Sequence, residues 1–161
     1  MSSEERGARP VFVDSNVLVY SRDESEPEKQ PAARAWLRAL WESRRGRVSV
    51  QVLEEFYVTV TGKLDPGLAA PEARSDVRAL GAWDPVSIDH SLLDAASDLE
   101  DRYGFSYWDS LILAAARRLD CAHVLTEDLQ HGQEVEGMTV VNPFRRGPSE
   151  LLREDPHRRE E

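Results

Sequence analysis

The stretch Val11-Phe12-Val13-Asp14-Ser15-Asn16-Val17-Leu18-Val19-Tyr20 decides how the rest of the chain is read. Two apolar runs are split by Asp-Ser-Asn. The first run, Val-Phe-Val, is continuous rather than alternating, which predicts a short strand buried on both faces over about 11–14. The second predicts a short helix over 15–21. A carboxylate between two buried runs is costly unless something there needs its charge.

Working outward, strands and helices alternate. A turn over 21–31 precedes a helix from Ala32 to Arg45, with Ala33, Trp36, Leu37, Leu40 and Trp41 forming a stripe at helical spacing and Gly46 ending it. Residues 47–50 (RVSV) read as a second strand. A helix follows over 51–64, with Val52, Phe56 and Val60 on one side. Another spans 71–83, opened by Pro71 and Glu72. Residues 84–88 form a short strand at best. Asp89 caps a helix closed by Gly104. Residues 106–120 give a mostly apolar helix, 122–126 a strand, 126–137 a loop and 138–144 a final strand. The alternation predicts an α/β fold, a parallel sheet of four or five strands with helices on both faces.

The bulk numbers bound the possibilities. With 161 residues, the chain suits one domain of ordinary size. Residues 1–9 read as a flexible start and 145–161 as a polar, disordered tail. Each end is neutral in sum, so the whole net charge of −10 falls on the core between them. An acidic core argues against simple electrostatic capture of nucleic acid, unless bound divalent cations invert the local field. Lys29 and Lys63 are the only lysines, so phosphate contacts would fall to arginine, with Arg44, Arg45 and Arg47 a candidate cluster. The single cysteine, Cys121, excludes an internal disulfide, reads as a buried small hydrophobe and fits a cytoplasmic setting. No apolar run is long enough to span a membrane.

In open α/β sheets, ligands bind at the carboxyl ends of the strands. Asp14 ends the first strand and Asp128 closely follows a later one. Each acid has an ordinary reading too. Asp14 and Asn16 suit a helix cap, and Ser106 with Asp109 matches a capping box. Glu54 and Glu55 lie at similar angles from their apolar stripe, and Glu127 is a near twin of Asp128, so position alone chooses neither. Taken together, carboxylates converging on one sheet edge would repel one another. An oxygen-only ligand set suits Mg²⁺ or Mn²⁺, which can activate water for phosphodiester hydrolysis.

Across roughly 10–144 the chain resembles a PIN domain, and specifically a VapC-type toxin ribonuclease. The resemblance rests on VFVDSNVLVY, VSVQVLEEFYVTVTGKL, YGFSYWDSLILAAA, VLTEDLQHGQ and VNPF, in that order and spacing. It implies a three-layer α/β/α fold and an Mg²⁺- or Mn²⁺-dependent endoribonuclease acting as the toxin of a toxin–antitoxin pair. Its partners would be RNA and a small cognate antitoxin, and it would be a homodimer. By position, the resemblance assigns Asp14, Glu55, Asp109 and Asp128 as catalytic, metal-binding acids. Asn16 and Thr126 match the polar positions that support them. The Trp36–Trp41 stripe, where exposed, is a candidate surface for an antitoxin helix or a second protomer.

Two other readings are weighed beside this one. An aspartyl-phosphate enzyme would use Asp14 as nucleophile, but Asn16 stands where a second Asp is expected and no lysine follows Lys63. A catalytically silent RNA- or protein-binding module would keep the fold alone. No phosphate-binding loop, dinucleotide fingerprint or serine-nucleophile motif is present.

Overall fold

The computed structural model describes residues 9–153. Strand β1 (Val11–Val13) is an interior strand of a five-stranded sheet, second from one edge, and all three of its residues are buried. Helices α1 (Ser15–Arg22) and α2 (Lys29–Ser43) lead to β2 (Gly46–Arg47). Helices α3 (Val50–Gly62) and α4 (Ala70–Ala79) follow, the latter running into a 3₁₀ turn at Leu80–Trp83. Helices α5 (His90–Tyr103) and α6 (Tyr107–Arg118) lead to β3 (His123–Leu125), β4 (Glu134–Val135) and β5 (Met138–Val141). Helix α7 (Pro148–Arg153) comes last.

The sheet order is β2-β1-β3-β5-β4. Every pairing is parallel except β4 with β5. This is the expected α/β architecture, with five strands. Helix α1 packs against α2 and α3, and α3 against α4, while α5 and α6 pack on each other.

Local chemistry explains the elements that sequence patterning placed well. Asp89 accepts a hydrogen bond from the Leu92 amide at 2.9 Å, and Gly104 closes α5 at φ 74°. That left-handed conformation is one glycine adopts without a side-chain clash. Ser106 accepts from the Asp109 amide at 3.1 Å and opens α6.

Elsewhere the structure corrects the reading. The strand expected at 47–50 is shorter, because the Ser49 hydroxyl accepts from the Val52 amide at 3.2 Å and starts α3 at Val50. Residues 84–88 contribute one parallel bridge, Val86 with Ser49. The loop expected at 126–137 contains β4, which returns to β5 through Glu136 and Gly137, both at positive φ. The tail expected to be disordered from Arg145 onward is ordered as far as 153. Leu151 is buried, and the buried Trp36 indole donates to the carbonyls of Pro143 and Arg146, both at 3.0 Å. Residues 1–8 and 154–161 lie outside the described residues.

The Trp36–Trp41 stripe divides. Ala33, Trp36 and Leu40 are fully buried, while Trp41 is 48% exposed and tilts against Trp83 with ring centroids 5.9 Å apart. Beside Trp41 runs a groove of about 310 Å³, lined by Leu18, Leu37, Phe56 and Leu80 among others. Trp83 also lies against Gly46, where a β-carbon would come within 2.5 Å of its ring.

Candidate active site

Parallel pairing of β1 with β3 sets Val13 beside Leu125, so the residues that follow each strand leave the sheet side by side. Asp14 follows β1 and is 5% exposed. It caps α1, its Oδ1 accepting from the Ser15 amide at 2.7 Å. Its Oδ2 accepts from the Thr126 hydroxyl at 2.8 Å and from Asn16 Nδ2 at 3.3 Å. The cap role is therefore real, and the same carboxylate is also tied to the end of a strand 112 residues away.

Asn16 and Thr126 link the neighbours. Asn16 Nδ2 lies 3.1 Å from Thr126 Oγ1 and 3.1 Å from Asp128 Oδ2. Thr126 Oγ1 also accepts from the Asp128 amide at 3.1 Å. Asp128 itself is exposed.

Helix α3 supplies Glu55. The Ser15 hydroxyl donates to Glu55 Oε2 at 2.8 Å, and Gln51 Nε2, one turn earlier, donates to Oε1 at 3.0 Å. Glu54 is exposed and borders a different groove, with Tyr57 and Val58. Asp109 sits half-buried in the first turn of α6.

The electrostatics join the four acids. Burial pushes the Asp14 carboxyl up to about 6, against the lowering effect of the Thr126 and Ser15 bonds, with Asp128 and Glu55 adding repulsion. Burial also raises Asp109, again with repulsion from Asp128 and Glu55. Among the described residues, no Lys, Arg or His forms an ion pair with any of the four.

The PIN domain family model matches residues 11–133. The chain belongs to the PIN domain family. No curated protein matches it significantly. Among solved structures, a chain of a toxin–antitoxin complex from Klebsiella pneumoniae is similar in fold, with a TM-score of 0.59 at 19% identity. The match covers 83% of this chain and 97% of that one. PIN domains are generally nucleases that use divalent metals.

In this PIN domain the donor chemistry fits such an ion. Carboxylate and hydroxyl oxygens gather without an ion-paired cation among the described residues, the donor set that a hard divalent ion requires. Among the described residues, no three His, Cys, Asp or Glu side chains are grouped closely enough to enclose one ion. Mg²⁺ tolerates this, since it commonly takes one or two carboxylates and keeps several waters.

His131, three residues beyond Asp128, and the arginine cluster bond to other groups. His131 Nδ1 accepts from the Asn142 amide at 3.0 Å and so anchors a loop. Arg45 is buried, and its Nε donates to the Arg9 carbonyl at 3.1 Å. Arg47 donates to the carbonyls of Arg44 and Gly46. Gly46 pairs with Val11, the first residue of β1, so this cluster lies toward the opposite end of the strand from Asp14. Burial holds the Cys121 thiol at about 12, an inert state. Among the described residues, no helix is long and apolar enough to cross a membrane.

Sequence reasoning missed Ser15 and Gln51. Ser15 stood inside the Asp-Ser-Asn signal, but its reach to α3 depends on the packing of α1 against that helix.

Proposed function

We propose that this PIN domain is a metal-dependent endoribonuclease and the toxin of a toxin–antitoxin pair. One observation carries the reading. Asp14 is a buried carboxylate bonded to Thr126 and Asn16, with Glu55, Asp109 and Asp128 close enough to repel it or one another, and among the described residues none of the four forms an ion pair with a cationic side chain. The similarity in fold to a chain of a toxin–antitoxin complex supports the partner.

In this reading Asp14 and Asp109 hold a divalent ion, Mg²⁺ or Mn²⁺, with Glu55 and Asp128 holding it directly or through water. When bound, the ion supplies a Lewis acid for the phosphodiester and lowers the pKa of water. The remaining work belongs to the chain. Thr126 and Ser15 donate hydrogen bonds that keep Asp14 and Glu55 fixed. Asn16 bridges Asp14 and Asp128, so the ends of β1 and β3 act as one rigid unit. Glu55 and Asp128 would also orient the attacking water. The acids repel RNA phosphate until the ion offsets them, which makes cleavage conditional on metal.

The exposed flank of Trp41 and the apolar groove beside it are the proposed seat of the antitoxin. The chain is proposed to work in the cytoplasm, as a homodimer.

The test is purified protein on total RNA with Mg²⁺, with Mn²⁺ and with EDTA, followed by mapping of the cut ends. The expected result is cleavage with either metal, none in EDTA, and loss of at least about 100-fold in Asp14→Asn. An Asp14→Asn protein, free of contaminating nuclease, that cleaves at the wild-type rate overturns the reading. A generic phosphate ester, expected to remain intact, separates it from the aspartyl-phosphate class.

A further inference from the structure

We propose that Lys29 and Tyr20 form a positioning clamp that turns Glu127 out of the acidic cluster and so presents Asp128 to it. The inference rests on the nuclease reading above and deepens it.

Glu127 and Asp128 are consecutive residues of one loop, yet they have opposite fates. Asp128 Oδ2 meets Asn16 Nδ2 at 3.1 Å, beside Asp14. Glu127 instead accepts from the Tyr20 hydroxyl through Oε1 and from Lys29 Nζ at 3.0 Å through Oε2. Lys29 Nζ also donates to Tyr20 Oη at 3.2 Å and stands 4.7 Å from the centre of the Tyr20 ring. Phe144 closes the other side, its ring edge-on to Tyr20 at 5.2 Å and 5.2 Å from Lys29 Nζ.

The arrangement draws on three separate elements. Asn16 and Tyr20 are one turn apart on α1, so one helix face holds both loop acids. Asn16 takes Asp128 and the Glu127 amide; Tyr20 takes the Glu127 side chain. Lys29 opens α2 and supplies the positive charge. A glutamate released from this clamp would add a further carboxylate beside Asp14, Asp109 and Asp128. Repulsion among them would rise, and Glu127 would compete with Asp128 for Asn16 and for any cation. Among the described residues, the side-chain hydrogen bonds and ion pair of Lys29 and Tyr20 go to Glu127 and to each other, so they act through Glu127.

The test compares wild type with Lys29→Gln, Lys29→Arg, Tyr20→Phe and the double variant Lys29→Gln/Glu127→Gln. Three readouts are taken: the Asn16 side-chain amide resonance, Mn²⁺ affinity by calorimetry, and kcat with KM on RNA. Thermal unfolding checks that each variant folds. Lys29→Gln and Tyr20→Phe are expected to shift the Asn16 amide. Lys29→Gln should weaken Mn²⁺ binding and lower kcat about tenfold at unchanged KM. Lys29→Arg keeps the charge and should stay within about threefold of wild type. Glu127→Gln should restore most of the loss in the Lys29→Gln background, because a neutral amide neither repels nor competes.

An Asn16 amide unmoved in Lys29→Gln overturns the clamp, whatever the activity. So does a double variant as impaired as Lys29→Gln alone, since the effect would then not pass through Glu127. Wild-type protein that fails to cleave RNA sinks the nuclease reading instead, and the Asn16 resonance still judges the clamp.

Discussion

The Thr126 hydroxyl donates to Asp14 Oδ2 at 2.8 Å, joining the ends of two neighbouring parallel strands. Thr126 is fully buried, and among the influences on Asp14 its bond is the strongest that favours the ionised form. Thr126→Val keeps the shape and removes the donor. The expected cost is about 1–3 kcal/mol, the usual penalty for leaving a buried polar group under-bonded. RNA cleavage should fall with it, while Thr126→Ser should keep both. Urea denaturation at pH 7 and a cleavage assay check this.

Stability should depend on pH through Asp14. Its carboxyl titrates at about 6 when folded, against 3.8 for the free side chain. A raised value means that the folded state holds the proton more tightly. The stabilisation is complete below about pH 4 and is lost as pH rises through 6, about 3 kcal/mol in all. Asp109 is shifted in the same direction. In EDTA, the Tm at pH 5 should therefore exceed that at pH 7. Asp14→Asn should flatten the dependence, and an unchanged slope in that variant would refute the assignment.

The two neighbouring glutamates should behave differently. Glu55 is fixed by Ser15 and Gln51, whereas Glu54 points to solvent. Glu55→Gln should lower kcat by about 10²-fold, and Glu54→Gln should leave it within about twofold. Ser15→Ala should fall between, by about tenfold, because Glu55 keeps only its Gln51 bond. Steady-state kinetics on one RNA substrate ranks the three variants.

Gly46 should resist even a methyl group. An added β-carbon would stand 2.5 Å from the Trp83 ring, inside contact distance. Gly46→Ala should cost about 1–3 kcal/mol by overpacking. Trp83→Leu, itself destabilising, should remove that extra cost in the double variant. Thermal unfolding of the four proteins in the cycle measures the coupling.

The α/β order was legible in the sequence because it rests on local pattern. Asp89 and Gly104 bracket α5 with cap chemistry that a linear reading can see. The family resemblance pointed to Glu55 and Asp128; periodicity alone had left each tied with its neighbour. What distinguishes the twins' surroundings is long-range: Ser15 reaches Glu55 across 40 positions, and Lys29 reaches Glu127 across 98. No window of sequence contains such a pair. Helix α7 was hidden for a different reason. Its flanks are rich in charge, and its one side chain seen to be buried, Leu151, finds its partner surface only after folding.

The two outermost strands, β2 and β4, are each only two residues long. Borders this brief offer almost no backbone for another chain to zip onto. A partner finds more purchase on helix surfaces and side chains than on these borders, which also disfavours fibrous, sheet-to-sheet growth.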